Sequence, residues 1–444
     1  MLKDKILGES EYIVNSRAAD SIEVVTHRED ASTIRFANSA FHQGAVESGS
    51  TVYIRVIIGR KVGIASVNTL ERGALKECLH EALSIAGNMK EEPFEVRFTR
   101  PAPYNDIRSY FEETAKASSA ELVSLVSSGF RKASSSGILQ AGSLTTAAGE
   151  IAVVNTNGVR AYHPYTSAFL SSVSSKGEAT GFKCATSKNI SEIDIGRVMG
   201  ASAESCLLAQ SPRDLKAGSY RVMLEPPAVS ELLHWLSYIG FGAKNYQEGT
   251  SFLSGRLGEK VTGGNVTIYD DALSPLGMAA PFDMEGAPKR RIAFIEKGIA
   301  RAVAYDSFTA SSEGTESTGH GAFPGENEGP LPDHIFMECG DKTYGEMLES
   351  LGTGLLIKSF HYVNGLLSPR ETLMTGMTRH GTFYVKDGKI EYPVRPLRFM
   401  ENIIKAFNRI ELVSKDAQVF PNHGFPLSSV TAPCLLINGF RFTG

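Results

Sequence analysis

Alternation of apolar and polar residues dominates the opening of the chain. Residues 21–26 (SIEVVT) and 33–38 (TIRFAN) alternate, 51–58 (TVYIRVII) follows, and 59–65 reads as a hairpin return. Short alternating runs separated by Gly or Asn-Ser predict an antiparallel meander, so the first 65 residues read as strands. The period then changes. Across residues 69–89, Leu75, Cys78, Leu79, Leu83 and Ile85 recur near one face of a 3.6-residue helix. Residues 118–133 repeat the pattern with Leu122, Leu125, Val126 and Phe130. Strands resume from Ile138 to about Lys183, with an Asn157-Gly158 hairpin signal among them. Asp194 then opens a further helical stretch that reaches Ala209.

The polar segment 210–218 (QSPRDLKAG) marks a boundary between two domains, 1–209 and 210–444. The second opens with a strand at 220–224 and a helix from Pro226 to Tyr238, with proline in its first turn. Beyond lie short strands separated by Gly, Asp-Gly and Pro, including a hairpin turn at Asp387-Gly388. Residues 311–333 form a long loop rich in Gly, Glu and Pro, of the kind that is usually functional or mobile. Residues 398–408 read as a late helix. The expected class is α+β: two domains of antiparallel strand-rich sheets with packed helices, the second more β-rich.

Composition narrows the function. Lys and Arg total 45 against 49 Asp and Glu, so no basic excess exists to neutralise a phosphate backbone. No run approaches the roughly 18 apolar residues of a membrane span. The start, MLKDKILGES, lacks the apolar core of a secretory leader. The five cysteines stand far apart with no CxxC, which suits reduced thiols. These features predict a cytoplasmic protein with neither nucleic acid nor membrane as partner.

Common catalytic motifs are missing. Walker A, GxSxG and EF-hand patterns do not occur. Residues 314–321 (GTESTGHG) neither follow a clear strand nor open a helix, and read as a glycine-rich surface loop. His80-Glu81 sits on a helix without a second histidine, since Ser84 and Ile85 follow, and reads as a solvated pair. His234, among apolar residues, reads as a packed core group. In residues 280–291 (APFDMEGAPKRR), Asp283 and Glu285 can pair with Arg290 or Arg291. Residues 378–381 can form a turn. The alternative for both stretches is a place at a groove.

Several stretches in order resemble the TldD/PmbA family of metallopeptidases, whose older label is modulator of DNA gyrase. They are 248–260 (EGTSFLSGRLGEK), 281–286 (PFDMEG), 317–321 (STGHG) and 375–383 (TGMTRHGTF), with 34–38 (IRFAN) fitting the family's first domain. The resemblance implies two kinds of chain. TldD-like chains carry HExxxH on a helix ahead of the Gly-Thr-Ser segment and bind metal through its two histidines and a cysteine near the C-terminus. PmbA-like (TldE-like) chains lack the motif and pair with the first kind. Together they degrade or trim unfolded peptides, including modified-peptide precursors.

Here the motif aligns with 234–239 (HWLSYI): His234 is at the first His position, Trp235 at the Glu, Ile239 at the second His. The region matching the cysteine ligand, 411–426, has no Cys, and Cys434 falls in an apolar strand. A catalytic zinc takes three protein ligands plus water, and one of three remains. The resemblance therefore implies a non-catalytic TldE/PmbA-like subunit without catalytic residues or metal of its own. Zinc is expected only in a TldD-like partner, and the chain is expected to form a dimer with that partner or with itself. Thr318, Gly319, His320, Gly321, Thr378, Arg379 and His380 are candidates to line a peptide groove gated by residues 311–333. Two other readings stay open. One is a homodimeric metallopeptidase with a rearranged site built from His320, His361, His380 and nearby acids. The other is a peptide-binding adaptor without proteolysis.

Overall fold

A computed structural model describes residues 2–134, 137–326, 329–421 and 427–443. Helix α1 (Lys3–Val14) comes first and buries Ile6, Leu7, Ile13 and Val14. The reading of the opening 65 residues as strands misses it, although these four residues already carry a helical spacing. Strands β1 (Ser21–Ala37), β2 (Ala40–Ile58) and β3 (Lys61–Val67) form the meander. Asn38 and Ser39, both at positive φ, make the tight turn between β1 and β2. Helices α2 (Arg72–Asn88), α3 (Glu112–Ala115) and α4 (Ser119–Ser134) follow. Next come β4 (Leu139–Asn155), β5 (Arg160–Lys176), β6 (Ala179–Ser187) and α5 (Ile195–Leu208). The Asp194 side chain caps α5 by accepting the Arg197 amide. The six strands run antiparallel in the order β3-β2-β1-β4-β5-β6.

Strand alternation divides this sheet into two faces. Ile22, Val24, Val52, Ile54, Val56, Ala152 and Val154 point to one, under α1 and α2. Ile34, Phe36, Leu144 and Leu170 continue it under α4 and α5. Val25, Ile151, Val153, Ala161 and Tyr165 point the other way and pack on Ala280, Phe282 and Met284 from the second half of the chain. The helices approach the sheet edges closely. A Cβ on Gly63 of β3 would lie 2.1 Å from the Ala82 carbonyl oxygen, and one on Gly181 of β6 would lie 2.1 Å from that of Ser202. Helix α2 thus meets β3 through Ala82 and Ala86, which turns Ile85 outward; it is exposed, as is Leu125 of α4. Both were expected on the buried stripe.

The second half holds β7 (Gly218–Leu224), α6 (Pro226–Leu236), α7 (Ala243–Gln247), β8 (Ile268–Asp270), β9 (Ile292–Glu296), β10 (Ile299–Ala300), α8 (Ser307–Glu313), β11 (His334–Met337) and α9 (Tyr344–Leu351). It continues with β12 (Gly354–Ser368), β13 (Leu373–Lys386), β14 (Lys389–Pro393), β15 (Arg398–Asn402), α10 (Ile403–Phe407), β16 (Ile410–Pro421) and β17 (Ser429–Phe442). The sheet order is β10-β9-β8-β11-β17-β15-β13-β12-β7, with β14 on β13 and β16 on β17. Strand β7 also pairs with β17, which closes β17-β15-β13-β12-β7 into a ring. The pairs β11/β17 and β12/β7 are parallel, so this sheet is mixed rather than wholly antiparallel.

Three local expectations change. The helix expected over 398–408 divides into β15 and α10, because the Asn402 side chain accepts the Lys405 amide and starts the helix there. The turn expected at 378–381 lies inside β13, at a register shift opposite residues 357–359. The loop expected from residue 311 begins as the last turn of α8, closed by Gly314 in the left-handed region. Within that loop, Asn327 and Glu328 lie outside the described residues. So do residues 422–426, at the end of the region compared for the cysteine ligand. Among the described residues no helix is long and apolar enough to cross a membrane.

Candidate functional site

Helix α6 starts at a Pro-Pro pair, where missing amides cost nothing, and buries Ala228, Val229, Leu232, Leu233 and Leu236 against β12 and β17. It runs into one π-helical turn, Ser237–Phe241. On a regular α-helix, positions five apart diverge by about 140°, whereas i→i+5 winding brings them toward one side. The π turn begins at Ser237, so it takes in Ile239 but not His234, and neither Trp235 nor Ile239 can serve as a ligand. Trp235 is half-buried, its ring edge-on to His234 at 6.1 Å and to Tyr238 at 5.9 Å. Gly365 of β12 backs it, since a Cβ there would lie 2.8 Å from the indole. Ile239, 3% exposed, belongs to the apolar core where the second imidazole would stand.

The seven groove candidates separate into two places. Thr318 Oγ1 lies 2.9 Å from His320 Nδ1, and His320 Nε2 lies 3.4 Å from Asp270 Oδ1. The Gly321 amide donates to Asp283 Oδ2 at 2.7 Å. Gly319, His320 and Gly321 are all buried. Thr378 is buried too, its Oγ1 accepting the Leu397 amide at 2.9 Å. Arg379 is exposed. His380, at φ 57°, is half-buried against β6 of the first sheet, 3.1 Å from Thr180 Oγ1 and 5.6 Å from the Phe182 ring. Burial pushes its imidazole down to about 4, with Arg379 and His361 acting the same way. Of these contacts, those of His380 cross between the two halves and the rest lie within the second.

His320 faces Asp270, His380 faces Thr180, and the His361 ring lies tilted against Tyr362 at 4.2 Å, with Arg379 acting on both His361 and His380. Among the described residues, the donors that converge closely enough for a metal are those of Asp270, Asp333 and His334. A cation is already there. Lys289 Nζ lies 2.5 Å from Asp333 Oδ1, and His334 bonds Asp333 Oδ1 at 2.6 Å and the Met278 carbonyl at 2.5 Å. Burial opposes ionisation of Asp333, but Lys289 and His334 outweigh it and hold the carboxyl well below the usual range. Of this donor set, Asp333 and His334 are engaged with Lys289 and the Met278 carbonyl, while Asp270 Oδ1 is buried without a hydrogen-bond partner among the described residues.

The joint between the halves is ionic. Glu23 and Arg55 stand opposite one another in the β1/β2 register, on the face away from the helices. Arg55 reaches Glu23 at 2.6 Å and Glu285 at 2.9 Å. Ser307 donates its amide and hydroxyl to Glu285, each at 2.7 Å. Asp283 accepts the amides of Glu285 and Ala287. The pairing of Asp283 and Glu285 with Arg290 or Arg291 is therefore not formed; Arg291 lies over the Tyr269 ring instead. A backbone turn needs Asp283, and the sheet opposite supplies Arg55.

One constellation has no local sequence signal. Glu225, just before the Pro-Pro pair, is 4% exposed and accepts from Tyr344 Oη at 2.9 Å and Lys183 Nζ at 3.1 Å, with Lys358 Nζ at 3.8 Å. These residues line a cavity of about 880 Å³ together with Cys184 and Cys434. They come from β6, the start of α6, α9, β12 and β17, which only the fold brings together.

The description "PmbA/TldA metallopeptidase C-terminal domain" fits residues 217–444, and domain 1 of the same family fits residues 22–86. The chain belongs to the PmbA/TldA metallopeptidase family. An uncharacterised protein of Methanocaldococcus jannaschii is 26% identical over 367 residues, covering 80% of this chain and 82% of the relative. A protein named metalloprotease in Methanothermobacter thermautotrophicus is 23% identical over 392 residues, covering 84% and 83%. The crystal structure of TldE from Thermococcus kodakarensis has the same fold, with a TM-score of 0.89 at 20% identity over 98% of this chain and 100% of that one. For a PmbA/TldA-family chain, residues 234–239 are the informative stretch, because HExxxH occurs nowhere in the 444 residues.

Proposed function

We propose that this chain is the non-catalytic, TldE/PmbA-like subunit of a two-chain cytoplasmic peptidase. It shapes the cleft in which a TldD-like, zinc-carrying chain cuts unfolded or precursor peptides. One observation carries the reading: on α6 and the turn after it, Trp235 and Ile239 fill the base and second-ligand positions and His234 alone remains of the motif. An indole cannot take a proton from water, and a lone imidazole falls short of the three protein ligands of a catalytic zinc. The long, edge-bearing sheets suit recognition through main-chain hydrogen bonds, which tolerates many sequences. A homodimeric enzyme using the Asp270, Asp333 and His334 donors is disfavoured by Lys289 among them.

Co-expression with the motif-bearing chain of the same genome tests the proposal. Both chains should co-purify, and cleavage of an unfolded peptide should require both. Equal cleavage by the catalytic chain alone would remove the basis of the reading.

A further inference from the structure

The cavity beside Glu225 lies where the edges of the two sheets face one another. Strand β6 ends the first sheet, and β16 pairs with β17 through a ladder broken between Val413 and Ala417, while on its other side Ser414 and Lys415 bond the backbone of Gly340 and Lys342. Residues 183–186 of β6 and 416–419 of β16 both line the cavity. Edge strands of this kind present unpaired N–H and C=O groups.

The least exposed charged groups of the cavity are two ammonium groups and one carboxylate. Lys183 and Lys358 both lie against Glu225, their side chains 22% and 15% exposed. Two ammonium groups against one carboxylate leave a surplus positive charge in a largely buried place, which is costly without a counter-ion. The positive end of the α6 dipole falls at the same point, just after Glu225. Arg197, Glu192, Asp194, Glu204 and Asp416 also line the cavity; all five are exposed to solvent, and Glu204 acts on Lys358 from there. The cavity is large enough for a few residues of extended chain, and its walls offer backbone pairing that leads toward the two ammonium groups.

We infer that this cavity holds the C-terminal end of an extended peptide, its main chain added to the edge of β6 and its carboxylate set on Lys183 and Lys358. The inference rests on the peptide reading above and adds where the chain end is held. The carboxylate head is the essential chemistry. A peptide C-terminus and a free N-acylated amino acid both supply it, and the test separates them.

Fluorescence anisotropy on the full chain compares one unfolded peptide as its free acid and as its C-terminal amide, with an N-acetyl amino acid as competitor. The acid should bind at least about tenfold more tightly than the amide, the scale of one charge-assisted hydrogen bond. Lys358→Met should abolish that preference and Lys358→Arg should keep it, with unfolding curves checking that each variant is folded. Equal affinity for acid and amide would overturn the carboxylate site and leave the peptide reading standing. A rise in thermal midpoint with the N-acetyl amino acid but no peptide binding, the rise lost in Lys358→Met, would keep the site and remove the peptide reading. Binding of none of the three would overturn both.

Discussion

Arg55 is the residue on which the two halves of the chain meet. Alternation along β1 and β2 already places Glu23 and Arg55 on one face, so their pairing is legible in sequence once the hairpin is recognised. Glu285, the third member, is not, because it lies 230 residues from Arg55 and nearer cations offered themselves. Glu23 gives this joint a pH signature. Burial pushes its carboxyl up to about 7 against a usual 4.5, with Arg55 opposing and Glu285 reinforcing. Its Oε2 is buried without a hydrogen-bond partner among the described residues, a place for the proton. The folded state therefore binds this proton more tightly than the unfolded chain. The stabilisation is complete below about pH 4.5 and is lost as pH rises through about 7, a difference on the order of 3 kcal/mol. Glu23→Gln, which carries no titrating proton, should lose less stability than the wild type between about pH 5 and about pH 8. Urea unfolding at the two pH values checks this, and parallel losses in both proteins would remove Glu23 as the cause.

At the scale of elements, local chemistry settles more. The hairpin turns at Asn38-Ser39 and Asp387-Gly388, the Asp194 cap and the Pro-Pro start of α6 follow from residue types that prefer those conformations. What periodicity misjudges is rotation and length. Ile85 turns outward because α2 sits too close to β3 for anything but alanine, and 398–402 is a strand because β13 lies beside it. The same closeness yields a prediction at the far edge. Gly181→Ala would put a Cβ 2.1 Å from the Ser202 carbonyl oxygen, so α5 must move off β6. A loss of roughly 1–3 kcal/mol is expected in chemical unfolding, as for other overpacked contacts. Because β6 walls the cavity beside Glu225, the same variant should also bind peptide more weakly. A variant as stable as the wild type would mean that the helix yields at no cost.

For the whole molecule, the question is whether metal belongs to this chain. Among the described residues the convergent donors Asp270, Asp333 and His334 have the Lys289 ammonium on Asp333, and α6 holds one imidazole of its motif. A ligand that binds only the folded state raises its melting temperature. Neither EDTA nor added zinc should therefore shift the thermal midpoint of the isolated chain, followed by circular dichroism. A rise with stoichiometric zinc would assign this chain a metal site of its own.

The sequence by itself determined the alternation of strands and helices, most turns and caps, the family resemblance and the loss of the HExxxH side chains. Each of these rests on residues close together in the chain, where backbone preference and side-chain period act directly. Tertiary structure alone decided that Glu285 joins Arg55, that Lys289 pairs with Asp333, and that Lys183, Glu225, Tyr344 and Lys358 share one cavity. Those groups are separated by dozens to hundreds of residues. Their partners are chosen by which strand lies next to which, and that depends on burying two sheets and their helices at once rather than on any local signal.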